Sequence, residues 1–232
     1  ISDNSATLVD ADFDGITNFQ TLTTANGTNS ITLGAKADAA GITTINGGTG
    51  VDTVVLSDTD FDNAVDLVGF DKGEVITLAA GTDQAATIVL KSQTGANTAD
   101  ITNWLSGTDQ IDIDKSVFTL SGTVGDNLSG GNYYEGAAGS MVVGTAYDVV
   151  VLTGASYANI NAAEDAVAAR STSATDALII FHNSATSTVQ GFYDAALSGD
   201  AGVADTVEVL NFSDFDDSGN TGDIGDLFAI GD

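Results

Sequence analysis

The chain has 232 residues, enough for one large β-rich unit or two modest domains. Five Lys and Arg stand against 33 Asp and Glu, a formal charge of −28, and a field of that sign repels nucleic acid and anionic membrane surfaces. With no Cys the chain has no disulfide, thiolate metal site or Cys nucleophile, and no apolar run approaches the roughly 18 residues of a membrane-spanning helix.

High charge goes with disorder only when apolar content is low. Here 43% of residues are hydrophobic, so the chain can bury a core while its acids are solvated or bound to cations. The absence of Pro suits uninterrupted β-ladders, because Pro removes a ladder donor.

In chain order, the first motif is Asp10-Ala11-Asp12-Phe13-Asp14-Gly15. Asp10, Asp12 and Asp14 stand at positions 1, 3 and 5 with Gly at 6, like the start of an EF-type calcium loop. Position 12 is Thr21 instead of Glu, so a helical EF-hand is not expected. A related calcium loop and a solvated acidic turn both remain open.

A regular beat follows. Apolar residues recur at Leu22, Leu33, Ile45, Leu56, Leu67, Leu78, Leu90, Ile101 and Ile113, always 11 or 12 residues apart. Most have an apolar partner two residues earlier, as in Ile31-Thr32-Leu33 and Ile76-Thr77-Leu78. Alternation with period two marks a short strand with one buried face. Turn formers such as Asn26-Gly27, Asn46-Gly47-Gly48, Gly69 and Gly95 separate these strands. Short strands at even spacing fit a sandwich or a β-solenoid, and the constancy of the beat favours a β-solenoid or β-roll over residues 1–121. Thr32, Thr44, Thr53, Thr77 and Thr87 then fall on outward positions.

Inside this region lies Gly47-Gly48-Thr49-Gly50-Val51-Asp52-Thr53-Val54, a full match to the Gly-Gly-x-Gly-x-Asp-x-apolar calcium nonapeptide. Gly47, Gly48 and Gly50 permit a tight turn whose carbonyls face an ion, and Asp52 supplies a hard oxygen ligand. The competing reading is a Gly-rich turn between two strands. Asp38, in an Ala-rich stretch, belongs to no motif. Asp58-Thr59-Asp60-Phe61-Asp62 and the group Asp109, Asp112 and Asp114 are weaker acidic clusters that also fit a solvated face.

Residues 122–140 are rich in Gly and polar side chains and read as a linker or long loop. Residues 141–232 read as a β-rich C-terminal domain with one short helix. Tyr147 to Leu152 is a strand candidate. Asn161-Ala162-Ala163-Glu164 has the chemistry of a capping box, and Arg170 would sit in the last turn of that helix. Ala177 to His182 and Thr188 to Tyr193 form a candidate hairpin, and Asp205 to Leu210 another strand. Asp214, Asp216, Ser218 and Asn220, with Asp223 within reach, repeat the incomplete EF-like pattern. The fold class expected is therefore all-β.

Catalytic readings find little to stand on. His182 is the one histidine, in an apolar stretch that suggests a strand-end residue. The Gly-x-Ser-x-Gly nucleophile motif is missing, and with so many acids a pair of nearby carboxylates is not diagnostic.

The segments Ile16 to Leu22, Asn29 to Gly34 and Ala40 to Gly48 resemble repeats of RTX-type calcium-binding bacterial surface proteins, among them S-layer proteins and large adhesins exported by type I secretion. Leu178 to Asp194, with Asp205 to Leu210, is similar to the C-terminal domains of that export class. The resemblance implies a calcium-binding extracellular or cell-surface protein of a Gram-negative-type bacterium, unfolded in the low-calcium cytoplasm and folded outside. The expected function is a non-catalytic structural protein that assembles with copies of itself into a surface layer or matrix fibre. Two alternatives are an adhesin-type module that binds a glycan, such as a cell-surface polysaccharide, or ice, and the non-catalytic region of a secreted enzyme.

Overall fold

The structure, a computed structural model, describes residues 2, 4–57, 60–70, 73–80, 84–91, 99–105, 108–114, 117–118, 133–171, 176–195, 197 and 206–213, and the backbone of 228–231. Its first half is built from ten short strands: β1 (Thr7–Leu8), β2 (Thr21–Thr23), β3 (Ser30–Leu33), β4 (Thr44–Asn46), β5 (Thr53–Leu56), β6 (Val65–Val68), β7 (Val75–Thr77), β8 (Ala86–Leu90), β9 (Ala99–Thr102) and β10 (Gln110–Asp114). Odd-numbered strands belong to one sheet and even-numbered strands to a second, and every neighbouring pair within this half is parallel. The chain thus alternates between two sheets, and each strand lies beside the one two before it.

The apolar beat is the cause of this alternation. One 11- or 12-residue step carries the chain from one sheet to the other, and two steps return it to the first. In one sheet Ile31, Val54, Ile76 and Ile101 stand in register; in the other, Leu22, Ile45, Leu67, Ile88 and Ile111 do so. All nine are buried, at most 2% exposed, and face one another as a continuous core. Residues between them point outward, as period two requires. Thr21, Thr44, Asp66, Thr87 and Gln110 form one such outer row.

A short helix, α1 (Ala35–Ala40), interrupts the first half where sequence reading saw only an Ala-rich stretch. Ala37 and Ala40 are buried, and Gly41 ends the helix in the left-handed region (φ 92°), which favours Gly. Beside it, residues Asp10–Phe13 make a 3-10 turn that buries Phe13, whose ring lies 6.3 Å from that of Phe19. These side chains lie at the first-turn end of the core. Among the described strands, β2 is the last of the even-numbered sheet. Gln20 O and Thr24 N bond toward β4, so the N–H and C=O groups of Thr21 and Thr23 point away from it.

The second half extends the odd-numbered sheet. It comprises β11 (Tyr133–Gly136), β12 (Val149–Tyr157), the helix α2 (Ile160–Ala168), β13 (Ala177–Asn183), β14 (Thr188–Asp194), β15 (Thr206–Phe212) and β16 (Phe228–Gly231). The sheet order is β1-β3-β5-β7-β9-β15-β14-β13-β12-β11, and β16 closes the other sheet beside β10. β13 and β14 form the expected hairpin, with β15 antiparallel to β14 and parallel to β9. The parallel β12–β13 pair needs a crossover, which α2 supplies.

All seven residues of β13 are buried, because both its faces are covered. Leu178 and Ile180 join the main core with Val149 and Val151; Ile179 and Phe181 join Val150, Leu152, Ile160, Ala163 and Val167 in a second core under α2.

Two sequence expectations are corrected here. The cap of α2 is Asn159, whose side chain accepts the N–H of Ala162 at 3.0 Å, not Asn161. Helix entry is set by Ile160, which is buried in the second core. The pair Asn161 and Glu164 therefore lies inside the helix, and Arg170 falls just beyond the C-cap Ala169. Of the stretch read as a linker, residues 122–132 lie outside the described residues, while 133–140 contribute β11 and a 3-10 turn at Ala138–Ser140.

Candidate functional site

The three acids of the first motif do not converge. Asp10 turns its carboxylate onto the start of α1, where it accepts the N–H groups of Gly34, Lys36 and Ala37 at 2.9 to 3.0 Å. It is a capping anion supplied from another turn of the chain, and it satisfies donors that a helix start leaves unpaired. Asp12 accepts the N–H of its neighbour Val9 at 2.9 Å. Asp14, largely exposed, lies 3.6 Å from the Lys36 ammonium, an exposed pair of the kind that contributes about 0–1 kcal/mol.

The nonapeptide Gly47 to Val54 forms a turn stacked directly on the turn before it. A β-carbon on Gly48 would strike the carbonyl of Ala25, and one on Gly50 the carbonyl of Gly27. These glycines are required by backbone approach. Asp52 at the end of the turn is 1% exposed. Its Oδ1 accepts the backbone N–H of Asn29 at 2.7 Å and the Asn29 side-chain amide at 2.9 Å, and Thr24 Oγ1 lies 3.4 Å from Oδ2.

Asn29, which carried no weight in sequence reading, is 1% exposed and engaged on every side. Its Oδ1 accepts the N–H of Ala6 at 3.1 Å, and its Nδ2 lies 3.1 Å from Ala25 O and 2.8 Å from Gly27 O. Two further acids bond across turns in the same way: Asp38, which belongs to no motif, and Asp109, which the sequence places in a weak acidic cluster. Asp38 accepts the N–H groups of Asp62 and Asn63 at 3.0 and 2.9 Å. Asp109 accepts those of Ala86 and Leu105 at 2.9 and 2.8 Å.

Asp214, Asp216, Ser218, Asn220 and Asp223 lie outside the described residues, as does Asp58. Among the described residues no group of three or more His, Asp or Glu side chains is gathered as a metal would need. His182 is buried near the end of β13, and no described helix is long and apolar enough to cross a membrane. Comparison with protein-family models, with curated proteins and with solved structures found no match.

Burial pushes the Asp109 carboxyl above the usual carboxylate range, while its two backbone N–H bonds pull it the other way. A raised pKa in the folded state means that folding favours the protonated form. Its contribution to stability is therefore full below the unfolded pKa and lost as pH rises through the folded one. Urea midpoints of the wild type and Asp109→Asn across the acid range should diverge: the wild type gains relative to the variant as pH falls through that raised pKa. Parallel curves would show that Asp109 does not titrate in this way.

Proposed function

We propose that this chain is an extracellular structural protein of β-solenoid or β-roll build, stabilised by calcium, that assembles with copies of itself into a surface layer or fibre. The observation that carries the reading is the in-register stacking of parallel strands in two sheets, one strand added to each sheet per circuit of the chain. A stack of this kind grows by adding strands at its ends, and the end strand of a sheet is a template for a further strand. The charge of −28 opposes association, so divalent cations are required to screen or bridge copies. The acids assigned to that role are the exposed Asp12 and Asp14 and the stretch Asp214 to Asp223. RTX-type surface proteins, which the repeats resemble, suggest the same setting and a non-catalytic role.

A second reading, a module that binds a glycan such as a cell-surface polysaccharide, draws on the outer row Thr21, Thr44, Asp66, Thr87 and Gln110, a regular polar strip across one sheet.

Light scattering and electron microscopy of the full chain decide between them. Scattering at fixed protein concentration should rise with millimolar calcium and fall on chelation, with sheets or fibres visible in the calcium sample. Magnesium should substitute poorly, because it is smaller and gives up its water reluctantly. A calcium-loaded chain that stays monomeric at high concentration overturns the assembly reading, and retention on polysaccharide would then favour the second.

A further inference from the structure

Three side chains on separate turns share one geometry. Asn29 Oδ1 accepts the N–H of Ala6, Asp52 Oδ1 that of Asn29, and Asp109 Oδ1 that of Ala86. In each case the donor lies 23 residues earlier, one full circuit through both sheets. In sequence the three acceptors close Gly27-Thr28-Asn29, Gly50-Val51-Asp52 and Gly107-Thr108-Asp109. In sequence the nonapeptide is thus one of these three Gly-x-Asn/Asp tripeptides, and the other two lack its paired glycines.

The Asn29–Asp52 step contains the oxygens that a nonapeptide offers to a cation: turn carbonyls and the closing carboxylate. Ala25 O, Gly27 O and Asp52 Oδ1 lie 3.1, 2.8 and 2.9 Å from one atom, and that atom is Asn29 Nδ2. These are hydrogen-bond lengths, longer than the 2.3–2.6 Å of calcium to oxygen. The amide nitrogen carries two hydrogens for three acceptors, so it is fully committed. An ion placed among those oxygens would have to displace it. One turn earlier, at the position equivalent to Asp52, the chain carries an amide instead of a second carboxylate.

We infer that the turn at Gly47–Asp52 is closed without a metal: the side-chain nitrogen of Asn29 takes the cation's place, and Asn29 and Asp52 form a staple between successive turns. Three N–H bonds of Asn29, two on Nδ2 and one on its backbone, serve the oxygens that calcium would otherwise bridge. The Ala6–Asn29 bond carries the same ladder one turn further. This inference stands apart from the assembly reading, since calcium acting at exposed acids elsewhere leaves the staple unchanged.

The test is nuclear magnetic resonance on the full-length wild type with a calcium titration, read at the Asn29 side-chain amide. Two slowly exchanging Asn29 protons, with shifts unchanged between chelator and millimolar calcium, are expected. Melting of Asn29→Asp provides the second measurement. Two carboxylates then face each other, so the variant should melt well below the wild type in chelator. Calcium should raise its melting temperature several-fold more than it raises that of the wild type. Calcium-dependent movement of the wild-type Asn29 amide, or an Asn29→Asp variant as stable as wild type in chelator, overturns the staple. Failure of assembly in the scattering experiment touches neither readout.

Discussion

Asp52→Ala is expected to destabilise the fold by about 3–5 kcal/mol, as judged by urea unfolding in chelator. The substitution leaves the Asn29 backbone N–H without its acceptor at a site 1% exposed and removes the one charged oxygen beside its side-chain amide, which keeps Ala25 O and Gly27 O. The unpaired buried N–H costs about 1–3 kcal/mol, the lost bond from the amide to a charged group about 1.5–3 kcal/mol, and the missing carboxylate adds a small cavity. Asp38→Ala also removes an acceptor of two backbone N–H groups, yet Asp38 is only half-buried and the Asp62 N–H lies near solvent. Water replaces it there, so the loss should be closer to about 1 kcal/mol, the scale of a helix cap. Equal losses for the two variants in chelator would show that the burial of Asp52 does not govern its contribution.

Phe181→Ala should cost about 3–5 kcal/mol, the range for truncating a buried aromatic side chain. Phe181 is fully buried in the core under α2, its ring 5.8 Å from Phe192 and 6.1 Å from Tyr157. Its neighbour Ile180 points the other way into the main core, so β13 binds the two cores through one backbone. The one Trp provides a distant reporter: Trp104 stacks edge-on against Phe212 at 5.1 Å and belongs to the main core. Because β9, β15, β14 and β13 are contiguous in one sheet, the Trp104 fluorescence transition should move to lower urea in step with circular dichroism. A Trp104 transition left in place, with a biphasic dichroism curve, would show instead that residues 1–121 and 141–232 unfold as separate units.

The strand content was legible because burial imposes a period, and nine apolar residues at 11- or 12-residue spacing carried it. Ala177 to Asn183 was legible for the opposite reason, since a strand covered on both faces shows a continuous apolar run. What escaped were the features fixed by partners distant in sequence. Helix α1 has six residues and takes its cap from Asp10 on another turn, so no local signature announces it. Asn159 and Asn161 are equally good caps on paper, and only the burial of Ile160 selects the first. Asp52 was singled out through its glycines, whereas Asn29 and Asp109 share its geometry without the full motif. Their signal was a Gly-x-Asn/Asp tripeptide placed 23 residues after a strand entry, which has meaning only once the length of a full circuit is known.

The joining of β15 to β9 has a consequence for the order in which the molecule can form. Each circuit of the first half closes a loop of about 23 residues, as from Thr21 to Thr44 or Ser30 to Thr53. Such circuits can be added one after another as the chain is released from its N-terminus. The Asn211–Asp100 side-chain bond on the β15–β9 seam spans 111 residues. Loop-closure entropy makes that contact about 1.4 kcal/mol dearer than a single circuit. The free side of β9 therefore waits, uncovered, until residues 206–212 arrive. A chain cut short before that point would carry its growing circuits with their last edge bare, and that edge is where nascent copies would first adhere to one another.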